Sequence, residues 1–218
     1  MQIRNILFDL DGTLLDTTEG ILESAVYAAR ELGYPELPLE TMLQFIGPPI
    51  QQSYMKHYGV SAEEAQHAAG IFRGYDKEKA LLKASMYIGM EQLCETLKEA
   101  GLRMAVATYK REDYALTLLR HFGFDRWCDP MHGADNFNVL KKEDIVRMCM
   151  EEMGALQENT VLIGDTDHDA RGAAKAGIPF LAVSYGFGYK PGEPVITDAE
   201  LLGVAESPMQ IAEILGIY

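Results

Sequence analysis

The 218-residue chain has a formal charge of −14 and is 48% apolar. That length supports a full core, while the acid excess excludes a nucleic-acid-coating surface, which needs Lys and Arg. Cys94, Cys128 and Cys149 show no CxxC spacing, so neither a disulfide framework nor a zinc site is expected, and reduced thiols in a cytoplasmic protein are.

No apolar run approaches a membrane span. Asp9 and Asp11 interrupt the apolar start, so no signal peptide is expected. Residues 5–8 read as a buried strand that runs straight into Asp9-Leu10-Asp11-Gly12-Thr13. From about residue 17 to 83 the pattern is helical only. Asp16-Thr17-Thr18-Glu19 has the form of a capping box before Ile21, Leu22, Ala25, Val26, Ala29 and Leu32, and Ser61-Ala62-Glu63-Glu64 has the form of a second. Gly33 and Pro35 end the first of these helices. Further on, residues 104–107, 161–163 and 180–183 read as buried parallel strands. Between them lie helices carrying Met90, Leu93, Cys94 and Leu97, then Ile145, Val146, Cys149 and Met153, then residues 169–176, each stopped by a glycine. A last helix over 208–215 follows Ser207. Alternating strands and helices predict a doubly wound (Rossmann-like) parallel α/β sheet. The all-helical stretch predicts an inserted cap domain, with the core at 1–15 plus 85–218 and the cap at 16–84.

Ligands of such sheets sit at the carboxyl ends of the strands. Asp9 and Asp11 follow the first strand, and Thr108-Tyr109-Lys110 the second. Gly164-Asp165-Thr166-Asp167-His168-Asp169 follows the third, with Asp165 and Asp169 spaced to share a helical face. Lys141 and Lys142 precede another helix, where a cation opposes the macrodipole and calls for an anion nearby. Hard oxygen donors from Asp9, Asp165 and a backbone carbonyl suit Mg2+, which keeps waters and binds phosphate. Asp9 is then placed to attack phosphorus, and Asp11 to exchange the proton of the leaving group and of water. Thr108 and adjacent N–H groups can hold phosphoryl oxygens while a lysine offsets charge. The overall negative charge offers a phosphorylated substrate no long-range attraction, so the positive field must be local.

The set Asp9-x-Asp11-Gly12-Thr13, Thr108, a lysine before a helix, and Gly164-Asp165…Asp169 resembles the haloacid dehalogenase superfamily over essentially the whole chain. Phe45-Ile46-Gly47-Pro48-Pro49 and Gly164-Asp165-x-x-His168-Asp169 resemble its phosphoglycolate phosphatase-like branch, some members of which act on nucleotides. The resemblance implies Asp9 as nucleophile and metal ligand, and Asp11 as acid/base and carbonyl ligand. It implies Thr108 as phosphate binder, Asp165 as direct ligand and Asp169 as support for the metal. The motif lysine is Lys141 or Lys142, and alignment of the following helix favours Lys142. Relatives usually have Thr-Ser/Asn-Lys where this chain has Thr108-Tyr109-Lys110, so the middle position is unusually bulky. Gly12, Thr13, Tyr109, Lys110 and, in the cap, Arg73 complete the candidate substrate contacts, with a cap salt bridge as the other reading of Arg73.

The expected activity is therefore Mg2+-dependent hydrolysis of a small phosphate monoester, phosphoglycolate-like, through an aspartyl-phosphate. The other readings are a nucleoside monophosphate nucleotidase, a phosphosugar mutase with the same core residues, and a non-catalytic phosphometabolite sensor that keeps the fold but would not require Asp11. His168 reads as structural, since hard-ion chemistry does not want imidazole. His57, His67, His121 and His132 have no ligand spacing.

Overall fold

The computed structural model describes residues 2–137 and 139–217. The chain divides into two compact units, Met1–Asp16 with Met86–Tyr218, and Thr17–Ser85.

The first unit is built on β1 (Asn5–Phe8), whose every residue is buried, as a strand covered on both faces must be. The chain continues through β2 (Leu15–Asp16), β3 (Ser85–Met86) and α5 (Met90–Glu99) to β4 (Arg103–Arg111). Then come α6 (Glu112–His121), β5 (Cys128–Ala134), α7 (Lys142–Met153) and β6 (Thr160–Gly164). It closes with α8 (Asp167–Ala176), β7 (Phe180–Val183), β8 (Leu201–Ala205) and α9 (Pro208–Ile214). β2 and β3 make a two-stranded ribbon, and the other strands form one six-stranded sheet in the order β5-β4-β1-β6-β7-β8. All its pairings are parallel. The order reverses at β1, which makes the carboxyl end of that strand the topological switch point. Register fixes what meets there: Phe8 lies beside Val106 on one side and Ile163 on the other. Asp9, Thr108 and Asp165 therefore emerge from the same edge.

Under one face, α7 and α8 bury Ile145, Val146, Cys149 and Ala173 against Leu7, Ala105, Leu162 and Ala182. Both helices stop at glycines in the left-handed region, Gly154 at φ 60° and Gly177 at φ 74°, where a side chain would be strained.

The sheet has two strands more than the sequence pattern indicates. Both are edges. β5 reads Cys-Asp-Pro-Met-His-Gly-Ala and β8 contains Gly203, so neither has the β-branched run of a central strand.

The second unit is helical: α1 (Thr18–Glu31), α2 (Leu39–Met42), α3 (Ile50–Tyr58) and α4 (Ala62–Tyr75). The Ser61 capping box forms, with Glu64 N–H donating to Ser61 Oγ at 3.3 Å and Ser61 N–H to Glu64 at 2.8 Å. The one expected before α1 does not. Thr17 caps that helix at φ −105°, ψ 14°, outside the extended region a capping side chain needs, and makes no side-chain cap bond. Inside the unit the fully buried Tyr54 donates its hydroxyl to the Ala25 carbonyl at 3.0 Å and meets Phe45 edge-on. Among the described residues no helix is long and apolar enough to cross a membrane.

Candidate active site

Asp9 directly follows β1, and its N–H continues the ladder to the Ile163 carbonyl at 2.9 Å. The side chain is buried at the switch point. Lys142, the first residue of α7, reaches it at 2.6 Å and reaches Asp169 at the same distance. Lys142 is 1% exposed, an unusual position for an ammonium and one that only paired carboxylates sustain. Its stem lies against α8, where a Cβ on Gly172 would stand 2.5 Å from Lys142 Cγ. Lys141 occupies the cap position of α7 and is exposed, so the geometry separates the two lysines.

Asp165 ends the β6 crossing fully buried. Its Oδ2 accepts N–H groups from Phe187 at 2.7 Å and Gly188 at 3.2 Å, while Oδ1 is buried with no partner. Asp169 closes the first turn of α8 through Thr166, whose N–H and hydroxyl donate to its Oδ2 at 3.0 and 2.7 Å. Oxygens of Asp9, Asp165 and Asp169 lie within 4.8 Å of one another, all three side chains buried. Burial is the main force raising the Asp9 carboxyl to about 7. Lys142 opposes it, and the neighbouring Asp169 and Asp11 add to it. Burial also pushes Asp165 well above the carboxylate range, with Asp169 and Asp9 reinforcing and the two backbone N–H groups opposing. For Lys142 burial works against the charge, yet Asp169 and Asp9 hold the ammonium above the usual lysine range.

Crowded like charges with one orphaned buried oxygen form a site that a hard divalent cation would relieve. The donor set is all oxygen, with no sulfur or imidazole in the cluster, and fits Mg2+. The Asp11 carboxylate stands apart from that cluster, with Lys110 Nζ at 3.4 Å from both its oxygens. A contribution from Asp11 to a cation would come through its backbone carbonyl.

Thr108 is 1% exposed, and its hydroxyl accepts the Lys110 N–H at 3.2 Å. Gly12 stands at φ 81°, and a Cβ there would collide with the Asp165 carboxylate and the Phe187 ring. Thr13 is buried, its hydroxyl without a partner. Tyr109 is half-buried beside His168. Burial is the main force lowering the His168 imidazole; Asp169 opposes it, and Arg171 and Lys142 add to it. Arg73 is half-buried near the end of α4, in the helical unit.

The sequence pattern does not show the segment after β7. A side chain at Gly186 would collide with Gly12 and Asp165, and one at Gly188 with the Asp165 carbonyl. The Tyr189 N–H donates to the Asp165 carbonyl at 2.9 Å. A Gly-x-Gly shortly after an apolar strand, separated from it by Ser184 and Tyr185, is the signal that could have drawn attention to it.

A doubly wound sheet that gathers three buried carboxylates and a buried lysine at its switch point is an α/β enzyme fold built to handle a cation and an anionic group. A haloacid dehalogenase-like hydrolase family model matches residues 6–183. A 5'-nucleotidase of Pseudomonas aeruginosa is 37% identical over 185 residues, 84% of each chain. Tyrosine-protein kinase PtkA of Mycobacterium tuberculosis is 33% identical over 84% of this chain, which spans 62% of that relative's length. A predicted phosphatase from Clostridium acetobutylicum superposes with a TM-score of 0.88 at 31% identity, covering 99% of this chain and 100% of that one. The chain belongs to the haloacid dehalogenase-like hydrolase family. It is an enzyme, a hydrolase of the phosphatase type.

Proposed function

We propose that the protein is a Mg2+-dependent phosphomonoesterase that hydrolyses a small phosphorylated metabolite through an aspartyl-phosphate on Asp9. The observation that carries this reading is the setting of Asp9, a buried carboxylate at the switch point, held at 2.6 Å by Lys142 inside the Asp165–Asp169 cluster. Asp9, Asp165, Asp169 and the Asp11 carbonyl would hold the cation, which when bound neutralises phosphate charge and orients the ester for in-line attack. Asp9 attacks phosphorus as nucleophile. Lys142 offsets the charge that builds between nucleophile and phosphoryl group, and Thr108 with adjacent backbone N–H groups holds the phosphoryl oxygens. Asp11 gives a proton to the leaving oxygen, then takes one from the water that attacks the acyl-phosphate. Lys110, 3.4 Å from both Asp11 oxygens, keeps that carboxylate in place. Gly12 and Thr13 are the remaining candidate substrate contacts of this unit.

Phosphoglycolate represents the smallest esters this reading covers. Nucleoside 5′-monophosphates are the second reading, favoured by the name of the 37% identical Pseudomonas aeruginosa relative. Phosphate release is to be measured from phosphoglycolate, nucleoside monophosphates, hexose phosphates and an aryl phosphate, for the wild type and Asp9→Asn. Release that needs Mg2+ and falls at least about 10³-fold in the variant is expected. No release from any ester by a well-folded wild type would overturn the reading and promote a mutase or a sensor.

A further inference from the structure

Asp11 stands where the sheet no longer holds the chain. The Asp9 N–H makes the last bond to β6, at Ile163, and beyond it the backbone turns at Gly12, φ 81°. The turn is tight: the Leu10 carbonyl accepts N–H groups from Thr13, Leu14 and Leu15 at 3.3, 2.9 and 3.0 Å, and the Gly12 N–H donates to the Leu15 carbonyl at 2.8 Å. Two of its carbonyls are held from elsewhere in the unit. Thr13 accepts the Tyr185 hydroxyl at 3.0 Å, and Leu14 accepts the Tyr87 N–H at 3.4 Å. The two tyrosine rings meet edge-on, with centroids 4.8 Å apart at 62°. Thr13 is fully buried, so its carbonyl draws no donor from solvent. Past Tyr185, a Cβ on Gly186 would stand 2.2 Å from the Gly12 carbonyl oxygen, and the Phe187 and Gly188 N–H groups donate to Asp165. The loop after β7 is thus bonded both to the turn that carries Asp11 and to the buried acid cluster.

We propose that Tyr185 is a positioning residue: its hydroxyl, through the Thr13 carbonyl, fixes the Gly12 turn and so holds the Asp11 carboxylate where it meets the leaving oxygen. Lys110 ties that carboxylate from β4, and Tyr185 ties the backbone that carries it. A phenol has one proton to donate, and Tyr185 gives it to Thr13. Phosphate oxygens only accept, so the hydroxyl is no phosphate contact. A misplaced general acid is costly, since a shift of about 1 Å can lower a rate on the order of 10²-fold. The part given to Asp11 rests on the phosphatase reading; the hold on the turn does not.

The experiment compares the wild type with Tyr185→Phe, which keeps the ring against Tyr87 and removes only the hydroxyl. With Mg2+ present, kcat/KM is measured for alkyl phosphates and for p-nitrophenyl phosphate. That constant reports phosphoryl transfer to Asp9, the step in which the leaving oxygen takes its proton from Asp11. An alkoxide leaves poorly without that proton, whereas nitrophenolate leaves readily. Tyr185→Phe is expected to lower kcat/KM about tenfold on every alkyl ester hydrolysed and less than about twofold on the aryl ester. A loss on the aryl ester as large as on the alkyl esters would overturn the proposal in favour of general support of the fold. No loss on either would overturn it outright. Amide hydrogen exchange gives a readout without turnover. The Gly12 and Leu15 N–H groups should exchange about fivefold faster in the variant, and the Asp9 N–H, held by the sheet, at the wild-type rate. Wild-type exchange in the turn would overturn the hold of Tyr185 on it, whatever the kinetics. If the wild type releases no phosphate from any ester, the phosphatase reading falls and exchange alone decides whether Tyr185 fixes the turn.

Discussion

Lys142 lies 2.6 Å from carboxylates on either side, and Asp165 holds one oxygen with no partner. The two residues should respond to neutralisation in opposite directions. Lys142→Met removes the cation from a buried pair and leaves uncompensated acids, which costs about 3–5 kcal/mol. Urea unfolding in a chelator is expected to show that loss. Asp165→Asn removes one of three clustered like charges, and its amide can still accept the Phe187 and Gly188 N–H groups. Metal-free Asp165→Asn is therefore expected to melt higher than metal-free wild type, while the rise in Tm expected for the wild type with Mg2+, by mass action, should disappear. A lower metal-free Tm would mean that Asp165 holds the fold through its hydrogen bonds rather than straining it through charge. Away from the site, hydrogen bonds from Arg111 hold the Asp113 carboxyl below its usual range. Its contribution is thus present above the unfolded value of ~3.9 and is lost as pH falls below it. With the Asp113 side chain 57% exposed, the pair is worth under ~1 kcal/mol, and Asp113→Asn is expected to shift the urea midpoint only slightly at pH 7.

At the scale of elements, two helical glycines that read alike in sequence should behave differently. Gly70 on α4 has open space where a Cβ would go, so Gly70→Ala gains helix propensity and should stabilise by ~0.5–1 kcal/mol. Gly172 on α8 faces Lys142, and a methyl there must displace the lysine stem. Gly172→Ala is expected to destabilise and to lower kcat, with calorimetry and phosphate release as the checks. The same contrast explains which parts of the molecule were legible in the sequence. β1, β4, β6 and β7 are buried, β-rich runs and are readable as such. β5 and β8 are edges with a proline or a glycine, held by register rather than by propensity. Asp9, Thr108 and Asp165 stand out because each directly follows an apolar run, and Asp11 and Asp169 because they stand two and four residues beyond Asp9 and Asp165. The Phe187 and Gly188 N–H groups that anchor Asp165 are marked only by the Gly186-x-Gly188 spacing, since a backbone donor has no residue signature of its own. Alignment of the following helix favours Lys142 over Lys141 in the sequence, and the helix start, with Lys142 as the first residue of α7, is what turns it inward.

For the whole molecule, the net charge of −14 surrounds a site meant for an anionic ester. Long-range repulsion from the surface opposes encounter with a dianionic phosphate, and added salt screens it beyond a Debye length of ~10 Å at 0.1 M. On the proposed reading, Lys110, Lys142 and a bound cation would act at contact distance, inside that length, and the burial of both lysines would partly shield them from salt. The two effects separate experimentally. Raising ionic strength from about 10 to 150 mM at fixed free Mg2+ should raise kcat/KM for a dianionic ester about two- to threefold and leave kcat at saturation unchanged. An enzyme that draws in its substrate through a positive surface shows the reverse, a steep fall with salt. A fall in kcat/KM with salt would therefore show that the local field around Lys110 and Lys142 reaches into solvent and outweighs the acidic surface. A fall in kcat alone would place the salt effect on the chemistry at Asp9 instead.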